Sequence, residues 1–300
     1  MNKEGRGTMS STFEGFGHAV CAAVPMASVT TFHIGGPARY FIEPRNLREL
    51  VRLFDRCANS GIPVRVLGGG SNILVSDRGV SGAVFRLSKM TGISRSGTRI
   101  TCEAGVPLPR LVHAAEQWGL GGLEPLAGIP GTVGGAVAMN AGGRHGCVMS
   151  VLRSATTLDR YGLVRERSVR RLKPGYRHVH LHGEIVVGAT FDLVEKDPAS
   201  IAATRRSVLR EKADTQPLAG CSAGCIFKNP AVRGAGNLID LAGLKGMRVG
   251  GAVVSDKHAN FIVNEGAATA RDVRALISKV RRRVRKAFKI DLELEIEMWN

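Results

Sequence analysis

Five residues, Gly68-Gly-Gly-Ser-Asn72, lie between two short apolar runs, Val64–Leu67 and Ile73–Val75. Each run has the length and partly β-branched content of a buried strand. A glycine loop between two strands restricts the possible folds more than any other stretch. Phosphate loops of the Rossmann and P-loop types need a helix straight after the glycines, so both are excluded. Clustered backbone N–H groups in such a loop can still cradle a pyrophosphate, without help from a helix dipole. A second segment, GLEPLAGIPGTVGGAVAMNAGG at 122–143, holds seven glycines and two prolines. Small residues there let backbone approach a large flat ligand. Leu126, Ile129, Val133, Val137 and Met139 make this segment too apolar to lie free in solvent.

The rest of the chain reads as mixed helix and strand. Asn46 caps a helix whose Leu47, Leu50, Val51, Phe54 and Cys57 recur at helical spacing, and Gly61-Ile-Pro63 ends it. Further strands are expected at 83–87, 100–104, 153–159 and 184–193, and helices at 107–118, 199–212 and 236–244. HANFIVN at 258–264 reads as a strand. Thr269 caps a long final helix with Val273, Leu276, Ile277, Val280 and Val284 as its apolar stripe. Leu292–Met298 alternates as a closing strand, with Glu293, Glu295 and Glu297 on one face. A composition shift near 200 suggests a boundary, with a small α+β domain beyond it.

Charge and cysteine usage narrow the function classes. The net charge of +17 attracts phosphates of any kind, whether nucleic acid, nucleotide or diphosphate sugar. Much of the excess is the run Arg281–Lys286 in the final helix, where a solvated face is the plain explanation. Nucleic-acid binding lacks a helix-turn-helix or RNA-binding signature, and only 15 aromatics are present for base stacking. Six scattered cysteines without a C-x-x-C pair argue against a disulfide framework and a zinc site. No run approaches the roughly 18 apolar residues of a membrane span, and MNKEGRGTMSSTFEG has no apolar core like a signal peptide's. The expectation is a cytoplasmic monomer with no nucleic-acid, membrane or metal partner.

Seven motifs occur in order: TTFHIGGPA (30–38), LGGGSN (67–72), GIPGTVGGAVAMNAG (128–142), PGYR (174–177), SAGCIFKNP (222–230), LIDLAGLKG (238–246) and VSDKHANFIVN (254–264). Together they resemble the UDP-N-acetylenolpyruvoylglucosamine reductases, over about residues 25–300, in the shorter form without the extra insertion. The resemblance implies an α+β protein: a two-part FAD-binding unit of the cresol-methylhydroxylase (vanillyl-alcohol oxidase) type, plus a smaller α+β substrate domain. The corresponding division is a flexible lead-in at 1–24, FAD-binding subdomains at 25–90 and 91–198, and a substrate-binding domain at 199–300. FAD would be held by Gly68, Gly69, Gly70, Ser71, Asn72, Gly128, Ile129, Pro130, Gly131, Thr132, Gly135 and Asn140. Lys228, Asn229, His258 and Lys212 would hold a nucleotide-sugar. Arg177, Glu295 and Cys225 would be catalytic, with NADPH as the reducing co-substrate.

The residue types suit that chemistry. Hydride added to the methylene of an enolpyruvyl group leaves charge on the other alkene carbon and its carboxylate. Arg177 is a permanent bidentate cation for that enolate. Glu295 would orient or polarise the acid. Cys225 stands where many relatives have a proton-donating serine, and a thiol with a reference pKa near 8.5 is the better acid. Each residue also has a plain alternative. Cys225 could be small buried filler, Glu295 one of three exposed glutamates, and His258 a packing residue. Arg177 could belong to a surface run with His178, His180 and His182, which also invite a metal reading. Two departures from the family pattern, GRHG at 143–146 and Val179, bear on the flavin side and on Arg177. A different flavin oxidoreductase of the same fold, acting on a hydroxy acid or sugar, is the rival reading.

Overall fold

A computed structural model describes residues 11–300. The first ten residues of the expected lead-in lie outside the described residues. The remainder of it differs from expectation. Ser11–Phe13 form a short helical turn, Phe13 and Phe16 are buried, and β1 runs over Val20–Pro25. The cause is packing: Arg56 donates to the carbonyls of Thr12 and Glu14 and lies over the Phe16 ring.

The chain forms two compact units. Unit 1 comprises residues up to Ala23, Arg39–Gly69 and Ser81–Arg210; unit 2 comprises Val24–Ala38, Gly70–Val80 and Glu211–Asn300. This division departs from 25–90, 91–198 and 199–300. Phe32, Ile34 and Leu74 explain the difference, because they are buried in the same core as Phe227, Leu238 and Leu276.

Unit 1 holds two large sheets. The first has the order β1, β2 (Pro37–Ile42), β5 (Val80–Arg86), β3 (Val64–Leu67), with β3 and β5 parallel. Helix α1, Leu47–Asn59, packs Leu50, Leu53 and Cys57 into its core. Asn46 caps α1 by accepting from Glu49 N–H at 3.0 Å. Cys57 is fully buried, and burial pushes its thiol up to about 11, so it is a core residue. The second sheet is antiparallel, in the order Val164–Ser168, Leu152–Leu158, Ile185–Asp192, β7 (Arg99–Glu103), β6 (Ile93–Ser96). Helix α2, Leu108–Gln117, buries Leu108, Leu111 and Val112 against it.

In unit 2 the strands Arg248–Val249, Ala252–Val254 and Ile262–Asn264 form a small antiparallel sheet. The helix Ala270–Phe288 lays Val273, Leu276, Ile277, Val280 and Val284 into the core behind it. A capping box between Thr269 and Asp272 starts this helix. Its cations from Arg281 to Lys286 point to solvent. The closing strand is shorter than the alternation predicts. Only Glu297–Trp299 is regular, pairing in parallel with β4, Ile73–Val75. The preceding residues bridge through Leu294 to Phe227, so the segment changes partner midway and has no single long ladder.

Candidate active site

Two glycine segments build the floor of a cleft in unit 1. β3 ends at Leu67, and the backbone then turns at Gly68 and Gly69 directly onto Gly131 and Thr132. A Cβ on Gly69 would lie 2.5 Å from Gly131 Cα, and one on Gly68 would lie 3.1 Å from Thr132 Oγ1. The glycine-rich segment 122–143 contains a helix with no signal in the sequence, α3, Val133–Ala138, with Thr132 as N-cap accepting from Gly135 N–H at 3.5 Å. Two glycines in six residues hid this helix, since glycine is a poor helix former. A cleft of about 120 Å³ opens beside it, lined by Gly68, Thr132, Gly135, Ala138 and Val186 among others. Around Gly135 there is room, the nearest atoms to an added Cβ being 3.8 Å away. One side of the cleft is glycine backbone and small side chains, which suits the close approach of an extended ligand such as FAD, and Leu67, Leu87, Leu181 and Ile185 add apolar surface. Gly128 and Gly131 have φ of +71° and +112°, which favours glycine at both. Ile129 is half-buried and Pro130 exposed in the same turn.

Three residues of the expected FAD set have structural duties as well. Gly70, with φ +66°, begins unit 2, and its carbonyl accepts from Thr31 N–H at 3.1 Å. Asn72 donates from Nδ2 to the Glu295 carbonyl at 3.1 Å and accepts from Glu297 N–H at 2.9 Å. The neighbouring Ser71 carbonyl lies 4.0 Å from where a Cβ on Gly224 would stand. Asn140 is 8% exposed, with Nδ2 donating to Gly175 O at 2.9 Å and Oδ1 accepting from Met149 N–H at 3.4 Å. The structure thus uses the Asn140 amide to hold the PGYR turn. Arg177 in that turn has φ +54°, lies over the Tyr176 ring and donates to Gly142 O at 2.6 Å. His178, His180 and His182 are exposed with stacked or edge-on rings, and among the described residues no His, Cys, Asp or Glu cluster could hold a metal. Val179 is buried, its side chain serving as packing.

Unit 2 holds the six other expected residues, Cys225, Glu295, Lys228, Asn229, Lys212 and His258. Cys225 follows Gly224, whose φ is +75°, and pairs with Phe261 by a single antiparallel bridge. Its thiol is free of disulfide and half-buried. Glu295 N–H donates to Ile226 O at 2.8 Å, so Cys225 and Glu295 sit on adjacent hydrogen-bonded segments. Glu295 is half-buried while Glu293 and Glu297 are exposed, a distinction the alternating pattern alone did not make. Lys228 pairs with the Glu293 carboxylate, and its N–H donates to Glu293 O at 2.9 Å. Asn229 Oδ1 accepts from Ala235 N–H at 2.9 Å, at the first residue of the helix Ala235–Leu241. Lys212 is in the last turns of the helix Pro198–Thr215. That helix end meets the 255–258 turn where Lys257 donates to Ala213 O. Asn260, absent from the expected set, is 2% exposed beside Phe227. The only sequence signal for it was a polar residue inside an apolar run.

His258 accepts at Nδ1 from Asn260 N–H at 3.2 Å and packs edge-on against Phe261. An accepting Nδ1 leaves the neutral ring's proton on Nε2. Burial lowers the His258 pKa, and the Lys245 cation pushes the same way. The folded chain therefore takes this proton less readily than the unfolded chain, whose histidine titrates near 6.5. Stability is complete above the unfolded value and falls as pH drops from there toward the lowered folded value. His258→Gln is expected to flatten the fall in melting temperature between about pH 7.5 and pH 5.5. An unchanged slope would assign the acid sensitivity to other groups.

Comparisons with known proteins give matches over most of the chain. Residues 216–299 match the family model described as the C-terminal domain of UDP-N-acetylenolpyruvoylglucosamine reductase. Residues 38–167 match an FAD binding domain. A UDP-N-acetylenolpyruvoylglucosamine reductase of Moorella thermoacetica is 44% identical, covering 92% of this chain and 91% of its own. A second such reductase, from Symbiobacterium thermophilum, is 43% identical with coverage of 92% and 91%. The crystal structure of the Thermus caldophilus reductase superposes with a TM-score of 0.82 at 40% identity, covering 92% of this chain and 98% of its own.

Proposed function

Since this chain belongs to the UDP-N-acetylenolpyruvoylglucosamine reductase family, we propose that it reduces UDP-N-acetylglucosamine enolpyruvate to UDP-N-acetylmuramate with NADPH, with Cys225 as the proton donor. The observation that carries this reading is that Cys225 and Glu295 lie on adjacent segments, joined by the Glu295 N–H to Ile226 O bond. The glycine segments would hold FAD, and the chemistry it would supply there is hydride for the enolpyruvyl methylene. The new C–H bond moves the alkene electron pair onto the other carbon and its carboxylate. Cys225 then gives its Sγ proton to that carbon, and the resulting thiolate regains a proton from solvent.

An ordinary thiol keeps its proton at neutral pH yet yields it more readily than a hydroxyl does. Arg177, fixed by its bond to Gly142 O, is the proposed cation for the enolate. Half-buried Glu295 is the proposed group that orients the acid. A neutral His258 with its proton on Nε2 can donate to a nucleotide-sugar oxygen without bringing in charge. Lys228, Asn229 and Lys212 are proposed to hold the same substrate.

The test is NADPH oxidation by the FAD-loaded protein, with and without the enolpyruvyl sugar. Oxidation that depends on the sugar supports the proposal. Flavin bound and reduced, but not reoxidised by the sugar, would overturn the substrate assignment while leaving the family fold intact.

A further inference from the structure

We infer that Asn260 is the positioning residue for Cys225, an inference that rests on the reading of Cys225 as proton donor. Asn260 is 2% exposed, and each of its four polar groups has a partner. Its N–H donates to His258 Nδ1 at 3.2 Å, and its carbonyl accepts from Ile226 N–H at 2.8 Å. Its side chain closes a two-point clamp on Phe227: Oδ1 accepts from the Phe227 N–H at 3.0 Å, and Nδ2 donates to the Phe227 carbonyl at 2.8 Å. A carboxamide that pairs with both groups of one peptide residue copies a ladder partner where regular strand has not yet begun.

The clamp acts on a crossroads. Ile226 and Phe227 follow Cys225 directly and are 0% and 1% exposed, so water cannot replace lost backbone bonds there. The Ile226 carbonyl accepts from Glu295 N–H at 2.8 Å, and the Phe227 bridge to Leu294 runs alongside. Asn260 therefore ties the backbone of the acid, the carboxylate segment and His258 to one another. Aspartate would lose the donated bond, glutamine is one methylene too long, and an apolar residue would leave two buried peptide groups unpaired. A thiol that must protonate carbon tolerates little displacement, since a misplacement of about 1 Å can cost on the order of 100-fold.

The experiment separates the two half-reactions in FAD-loaded protein. Asn260→Ala is expected to be reduced by NADPH within about twofold of wild type. Its reoxidation by UDP-N-acetylglucosamine enolpyruvate is expected to slow by roughly 100-fold. In a Cys225→Ala background the same substitution should change reoxidation by less than about twofold, because the group it positions is gone. Equal slowing of both half-reactions, or the same factor in both backgrounds, overturns the inference. If Cys225→Ala alone reoxidises at the wild-type rate, the underlying reading fails and the inference falls with it. If Asn260→Ala gives no soluble flavoprotein, Asn260→Asp is measured on the same scales. It keeps the bond from Phe227 N–H, and a loss of about tenfold confined to reoxidation is expected.

Discussion

Cys225→Ala is expected to lower turnover by about 10²- to 10⁴-fold, the range associated with loss of a positioned general acid. FAD should stay bound and reducible by NADPH, because Cys225 is not among the residues that line the glycine cleft. Cys225 is half-buried, and the hydrogen bonds of Ile226 and Phe227 run to Asn260 and Glu295 and not to its side chain. The variant should therefore melt close to wild type. Cys225→Ser retains a hydroxyl, a weaker acid, and should keep part of the activity. A Cys225→Ala protein with normal turnover would remove the residue from the mechanism. A serine variant as inactive as the alanine one would mean that the surrounding groups are matched to sulfur.

A second large effect is expected at the glycine segments, where two substitutions of the same kind should have opposite consequences for folding. Gly69→Ala places a methyl 2.5 Å from Gly131 Cα and 3.2 Å from Gly131 C, both backbone atoms that cannot rotate away. The two segments must part. FAD affinity should fall by roughly 100-fold or more, with a lowered melting temperature, as overpacking typically costs about 1–3 kcal/mol. Gly135→Ala adds the same methyl where the nearest atoms are 3.8 Å away, inside α3. Alanine in a helix is favoured over glycine by about 0.5–1 kcal/mol. The cofactor-free protein should therefore melt no lower than wild type while FAD binds more weakly. Flavin titration and thermal melts of both variants decide the matter. Unimpaired FAD binding by Gly135→Ala would show that this wall is not the one the ligand touches.

Asn46 and Thr269 announced their helices because a capping side chain is a local signal, readable without knowledge of the tertiary fold. The strands β6 and Val164–Ser168 gave no such signal. Each lies at an edge of its sheet, where charged residues such as Arg95, Arg165 and Glu166 replace the alternating apolar pattern. The ordered motifs, not periodicity, pointed to Cys225 and Glu295, and the burial that separates Glu295 from its neighbours exists only once the chain folds. The same resemblance points Asn72 and Asn140 at FAD. Their side chains bind backbone at Glu295 and Gly175, a duty that no spacing rule reveals. The unit boundaries were hidden for a similar reason. Phe32 and Leu74 look like any core residues until the core they join is known.

The pairing of β4 with Glu297–Trp299 sets a condition on how the molecule assembles. The partners Ile73 and Glu297 are separated by most of the sequence, and the chain passes between the units after Ala23, Ala38, Gly69, Val80 and Arg210. Bringing such distant segments together must offset a large loop-closure entropy before any contact rewards it. Unit 2 cannot mature as an autonomous module from residues 211–300, because part of its core and one strand of its parallel pair come from much earlier in the chain. Its completion needs segments from both ends of the chain, and Cys225 takes up its position only once they have met.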